Sequence, residues 1–141
     1  MGDKPTLDHI GIAVESIDER LSMYQALGLE ATGFEVVETQ GVRVAFLPVG
    51  DSRLELLEAT GPTSPIARHL ERRGPGVHHI CLGVSDIRQT MARLAEQGFE
   101  LLSEEPQRGA HDCLVCFVHP RSTGGVLLEL SESVGSQKGR G

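Results

Sequence analysis

Tryptophan is absent, tyrosine occurs once and phenylalanine four times, so aromatic residues make up 4% of the 141 positions. That leaves few rings on which a flat ligand could stack. Cysteine occurs three times, and an odd count cannot pair off into a disulfide scaffold. Cys113 and Cys116 form a lone CxxC inside a β-like run, where an odd separation sends the two thiols to opposite faces. They read as ordinary thiols and not as a redox or zinc pair. No apolar run approaches the ~20 residues of a membrane span, and Met1-Gly2-Asp3-Lys4-Pro5 leads into the first strand without the apolar stretch of a secretory signal. Both absences favour the cytoplasm. Basic residues are outnumbered, 13 Lys and Arg against 20 Asp and Glu, for a net charge of −7. A nucleic acid or an anionic membrane surface is thereby excluded as the main partner. A small anionic ligand would need local positive charge, from a metal ion or from arginines such as Arg53, Arg72, Arg108 or Arg121.

What the chain does have is a repeat. His9-Ile10-Gly11-Ile12-Ala13-Val14-Glu15-Ser16-Ile17 is answered seventy residues later by His79-Ile80-Cys81-Leu82-Gly83-Val84-Ser85-Asp86-Ile87. Gly28 and Glu30 are answered at the same offset by Gly98 and Glu100, and the offset then drifts through Phe46 and Phe117 to Glu55 and Glu129, as loop insertions would cause. Half of this chain is too small to bury a comfortable core alone, so the two copies should share one structural domain.

Each copy reads βαβββ, giving an α+β fold. Leu7 to Val14 alternates, with Ile10, Ile12 and Val14 on the face beneath a helix and His9, Gly11 and Ala13 on the other. Ser16 and Glu19 form a capping box for a helix whose inward side is Ile17, Leu21, Tyr24 and Leu27, stopped by Gly28. Strands are expected at 31–37, 42–48 and 52–58, with a turn at Gln40-Gly41. Ser64 and Pro65 open a short linker helix that Gly74-Pro75-Gly76 ends. The second copy repeats this, with a strand at 78–84, a helix at 86–97 facing inward through Ile87, Met91, Leu94 and Ala95, and strands near 100–103, 114–119 and 125–131. The organisation is residues 1–60 as the first module, 61–76 as the linker, 77–132 as the second module and 133–141 as a disordered tail. Two such modules predict a curved sheet with pseudo-twofold symmetry around a cleft, its inner faces bearing His9 and His79 with small neighbours Gly11, Ala13, Cys81 and Gly83.

Four residues then occupy equivalent places: His9 and His79 in the first strands, Glu55 and Glu129 in the last. The leucines flanking each glutamate, Leu54 and Leu56, Leu128 and Leu130, take the buried face, so the carboxylates project oppositely. Buried charge is expensive without a partner, and two imidazoles with two carboxylates form a divalent-metal donor set suited to Co²⁺, Mn²⁺, Ni²⁺, Zn²⁺ or Fe²⁺. Each of the four, taken singly, has the ordinary reading of a satisfied strand residue; their repetition in both copies is what favours ligation. Of the remaining histidines, His78 is out of register and structural, His119 before Pro120 is a turn residue that could touch a ligand, and His69 and His111 are solvated.

With these residues identified, the chain resembles the vicinal oxygen chelate (glyoxalase) superfamily and, more narrowly, the methylmalonyl-CoA epimerase family. The resemblance runs from Asp8 to Leu130 and is carried by Asp8-His9-Ile10-Gly11-Ile12, Gln40-Gly41-Val42, Leu54-Glu55-Leu56-Leu57, Val77-His78-His79-Ile80, Glu105-Pro106, His119-Pro120 and Gly125-Val126-Leu127-Leu128-Glu129-Leu130. It implies metal ligation by His9, His79, Glu129 and Glu55, cobalt as the first-choice ion, a homodimer, and an acyl-CoA substrate. Val44 stands where certain epimerases carry a glutamate, and Arg121 where lysine is usual.

Epimerising a 2-methylmalonyl thioester requires a proton to leave C2 on one face and return on the other, hence two bases. Glu129 and Glu55 are the symmetric candidates, with Glu129 the stronger. The alternatives are a glyoxalase I-type lyase acting on a glutathione hemithioacetal with the same four residues, a ring-cleaving dioxygenase, which the fourth ligand Glu55 disfavours, and a metal-free binding protein of the same fold.

Overall fold

The computed structural model describes residues 4–133, which form two compact units, residues 9–78 and residues 79–133 together with 4–8. The tail expected over 133–141 lies, beyond Ser133, outside the described residues. The first unit takes β1 (Thr6–Ala13) from His9 onward, followed by α1 (Ile17–Ala26), β2 (Gly33–Val37), β3 (Val42–Val49), β4 (Ser52–Ala59) and α2 (Pro65–Arg73). The strands lie in the order β2-β3-β4-β1, β2 and β4 running antiparallel to β3 and β1 parallel to β4. In the second unit, β5 (Gly76–Gly83) leads to α3 (Ile87–Glu96), β6 (Gln107–Arg108), β7 (Cys113–Val118), the single turn α4 (Pro120–Thr123) and β8 (Leu128–Ser133), ordered β5-β8-β7-β6. Both units are thus βαβββ, and the fold is α+β.

The helices form where their caps and apolar stripes dictate. Ser16 Oγ accepts from Glu19 N at 3.2 Å and Asp86 Oδ1 from Gln89 N at 3.1 Å. A second acceptor at each helix start comes from the last strand of the same repeat: Ile17 N donates to Glu58 Oε1 at 2.8 Å, and Ile87 N to Glu132 Oε1 at 2.9 Å. Each carboxylate satisfies an orphan amide at the positive end of the helix dipole and ties the helix to its sheet. Ile17 and Ile87 are then wholly buried. Ile17 packs with Val14, Ala45, Leu47 and Leu56; Ile87 packs with Met91, Cys116, Val118 and Leu130.

Four expectations change. Leu27 caps α1 and is 68% exposed, because the helix has ended before its side chain can turn inward. Ala95 is exposed, beside an open groove. Residues 100–103 form no strand, only an isolated bridge between Leu101 and Val118, and the strand of that position in the repeat is β6. His69 is half-buried, its ring edge-on to His78 at 4.9 Å between centroids. Burial, followed by the nearby charge of Arg73, pulls its pKa below the usual value of 6.5.

The turn at Gly41 is required by its surroundings. Its φ of 62° is left-handed, and a Cβ there would come within 3.2 Å of Ser64 Cβ, the residue whose hydroxyl caps α2 through Ile66 N. Among the described residues, no helix is long and apolar enough to cross a membrane.

Replacing Glu132 with Gln, which keeps the shape but removes the charge accepting from Ile87 N, is expected to lower unfolding free energy by about 1–2 kcal/mol, read from the midpoint of a urea titration.

Candidate functional site

Strand register builds the site. In the first unit β1 and β4 run parallel with Gly11 opposite Glu55 and His9 opposite Arg53; in the second, β5 and β8 run parallel with Cys81 opposite Glu129. A phenylalanine completes each row on the far side of the glutamate, Phe46 opposite Glu55 and Phe117 opposite Glu129. Because side chains alternate along a strand, the first-strand histidine and last-strand glutamate of each repeat leave the sheet on one face. The helix occupies the other face. Parallel pairing of sequence-distant strands therefore brings together what the repeat only suggested.

In the first unit His9 Nδ1 lies 3.2 Å from Glu55 Oε2; in the second, His79 Nε2 lies 2.9 Å from Glu129 Oε1. All four residues are at most 7% exposed, and among the described residues they are the buried histidines and acids. Burial of such groups is stable only with charge and hydrogen-bond compensation, which each pair supplies in part. Two imidazole nitrogens and two carboxylate oxygens are donors a divalent ion accepts, so the residues present fit such a group.

The two pairs are not equivalent. Arg53, which the sequence offered only as a candidate for anion binding, donates from both Nε and Nη2 to Glu55 Oε2 at 2.8 Å and stacks its guanidinium over Phe46, 5.6 Å from the ring centre. The residue two before Glu129 is Leu127, which cannot do this. His79 instead stands edge-on to Phe117, with centroids 6.0 Å apart. The signal for Arg53 was present in its i, i+2 spacing to Glu55, which puts both side chains on one face of a strand. Of the other arginines singled out from the sequence, Arg108 pairs with Asp112 and Arg121 Nη1 lies 3.5 Å from Glu100 Oε1, while Arg72 stands in the last turn of α2. His119 Nδ1 accepts from Arg121 N at 2.9 Å, which makes it the cap of α4. His111 is exposed.

Cys116 lies on β7 opposite Leu130 and belongs to the helix-side core of the second unit. Burial, with a further contribution from the charge of Glu129, pushes its thiol from 9.0 up to about 11. It is a neutral core side chain, as the spacing of the CxxC suggested.

Two βαβββ units, each burying a histidine against a glutamate, define a class. The sequence pattern of the Glyoxalase/Bleomycin resistance protein/Dioxygenase superfamily matches residues 8–117, and the chain belongs to that superfamily. It is 42% identical over 132 residues to YqjC, an uncharacterized protein of Bacillus subtilis, covering 93% of this chain and 94% of that one. It is 39% identical over 129 residues to the ethylmalonyl-CoA/methylmalonyl-CoA epimerase of Cereibacter sphaeroides, covering 89% of this chain and 96% of the relative. Among solved structures, a variant of Streptomyces coelicolor methylmalonyl-CoA epimerase in complex with 2-nitronate-propionyl-CoA is similar with a TM-score of 0.87 at 38% identity, covering 94% of this chain and 97% of the other. Within the superfamily, the chain belongs to the family of the methylmalonyl-CoA epimerases.

The raised Cys116 pKa sets a pH dependence. The unfolded thiol loses its proton near the usual value while the folded thiol keeps it, so stability is full below about pH 9 and falls as the pH rises toward about 11. The loss should approach about 3 kcal/mol in urea titrations compared across that range, and Cys116→Val should remove this part of the slope.

Proposed function

We propose that the protein is a metal-dependent epimerase that interconverts the (2R) and (2S) forms of methylmalonyl-CoA, the two histidine–glutamate pairs together holding one divalent ion. The observation that carries this reading is the doubling: each repeat buries one histidine against one glutamate, and no other acid or histidine is buried among the described residues. His9, Glu55, His79 and Glu129 would be the ligands. Co²⁺ is the ion we expect first, with Mn²⁺, Ni²⁺, Zn²⁺ and Fe²⁺ compatible with the same mixed nitrogen and oxygen donors. When bound, the ion supplies positive charge to substrate oxygens on which negative charge develops as the C2 proton leaves.

The residues of the chain divide the remaining work. His9 and His79 orient the glutamates through their ring nitrogens, and Arg53 holds Glu55 in place with two donors on Oε2. Glu129 takes the C2 proton from one face of the substrate or returns it there. In a symmetric scheme Glu55 serves the other face, but its Oε2 must then give up Arg53 or His9 to receive a proton. The reading extends to a homodimer acting in the cytoplasm on an acyl-CoA. A net charge of −7 is consistent with its having no nucleic acid or membrane partner.

The test is exchange of the C2 proton of methylmalonyl-CoA with deuterated solvent, alongside epimerisation. Dialysis against a chelator should abolish both, and a divalent ion should restore them. Replacing Glu129 with Gln should reduce exchange by at least about 100-fold with the urea midpoint retained. Exchange by Glu129→Gln at the native rate would remove that residue from the mechanism, and turnover of a glutathione hemithioacetal in place of epimerisation would redirect the whole reading.

A further inference from the structure

The second unit also carries a groove of about 510 Å³ along α3. One wall is the helix, with Arg88, Ala92 and Ala95, and the other is the stretch from Phe99 to Pro106, with Leu102, Glu104 and Glu105. It opens because the edge strand of this repeat, β6, is two residues long and residues 100–103 reach β7 only through the Leu101 bridge, whereas β2 runs five residues along β3. Phe99 and Leu102 are left 42% and 53% exposed. The repeats also differ in what their helices show here. At the offset of seventy, Ala92 and Ala95 answer Ser22 and Gln25, so the helix wall is apolar where the first repeat is polar. Arg88 answers Asp18. An acid suits the positive end of a helix dipole and an arginine opposes it, so Arg88 sits in the first turn of α3 against the preference of its own helix. Among the described residues, Arg88, Glu104 and Glu105 take part in no ion pair.

We propose that this groove docks a second copy of the chain, with a twofold axis running along it; the assignment rests on the homodimer of the reading above. A rotation about that axis leaves each end of the groove in place and sets the helix wall of each copy against the 99–106 wall of the other. The chain reverses at Gly98, where φ is 90°, and Phe99 N donates to Leu94 O at 3.0 Å, so the second wall runs back along the helix toward its first turn. Arg88 therefore faces Glu104 and Glu105 of the second copy, and Leu102 faces the space over Ala92 and Ala95 of the second copy. Each contact is made twice, once on either side of the axis. A groove that carries its own complement, an arginine on one wall against two glutamates on the other and an exposed leucine opposite two alanines, is what an isologous contact requires. An apolar small molecule would fill the same space without using either sign of charge.

Sedimentation of the full chain over a range of concentrations tests this, with far-UV circular dichroism confirming that each variant is folded. The native protein is expected at twice the mass of one chain. Arg88→Glu, which opposes like charges across the axis, and Leu102→Asp, which puts a charge into the apolar part of the contact, should each raise the dimer dissociation constant by at least about tenfold. Glu104→Arg with Glu105→Arg should do the same. Combining Arg88→Glu with Glu104→Arg and Glu105→Arg should recover most of the native affinity, which general damage to the surface would not allow. A dimer unchanged in both Arg88→Glu and Leu102→Asp would overturn the groove as the interface and leave the homodimer reading standing. Loss of association that the combined exchange fails to restore would overturn the twofold pairing of the charges. A native chain that stays monomeric at every concentration would defeat both readings, and the groove would then belong to another occupant.

Discussion

Parallel pairing of the first and last strand within each repeat is the constraint on which the molecule depends. These two strands are more than forty residues apart in each copy, yet their register sets Gly11 against Glu55 and Cys81 against Glu129. A slip of one residue would send each glutamate to the helix side and each flanking leucine into the site. The slip is opposed on the helix face, where Leu56 and Leu130 are locked among Ile17, Ala45 and Leu47, and among Ile87, Met91 and Val118. Core packing on one side thus holds the titratable residues in place on the other. Glu58 and Glu132 act in the same direction, three residues beyond the site glutamates, by bonding the first helical amide of their own repeat.

Duplication supplies two histidine–glutamate pairs, and divergence makes them unequal. In the first repeat, Arg53 draws Glu55 into a fixed orientation with two donors on one oxygen; in the second, Leu127 stands at the corresponding place and His79 is backed by Phe117. A glutamate that receives two arginine donors on one oxygen is a good anchor.

Much of this was legible beforehand because it is local. The helix cap at Ser16, the helix beginning at about Asp86, the linker helix after Ser64, the strand alternation around His9 and His79, and the parity of Glu55 and Glu129 between leucines each depend on residues within one or two turns. The readings that failed concern ends and edges. Leu27 follows the inward period of α1 yet falls on its cap, and Ala95 follows that of α3 yet faces the groove bounded by Phe99 and Leu102. Residues 100–103 have strand-like composition, but β7 already has β8 as one neighbour, and on its other side it bonds β6 at 107–108 with a single bridge to Leu101.

By itself the sequence determined that there are two βαβββ copies, which residue types recur in them, and which face of each strand those residues take, because periodicity and capping are written in neighbouring positions. Tertiary structure alone decided which residues meet: that His9 reaches Glu55 and His79 reaches Glu129, that Arg53 binds a glutamate of its own chain, and that Glu58 and Glu132 cap distant helices. Those contacts follow from the order and register of strands, which are set by the packing of the whole apolar core and not by any short stretch of the chain.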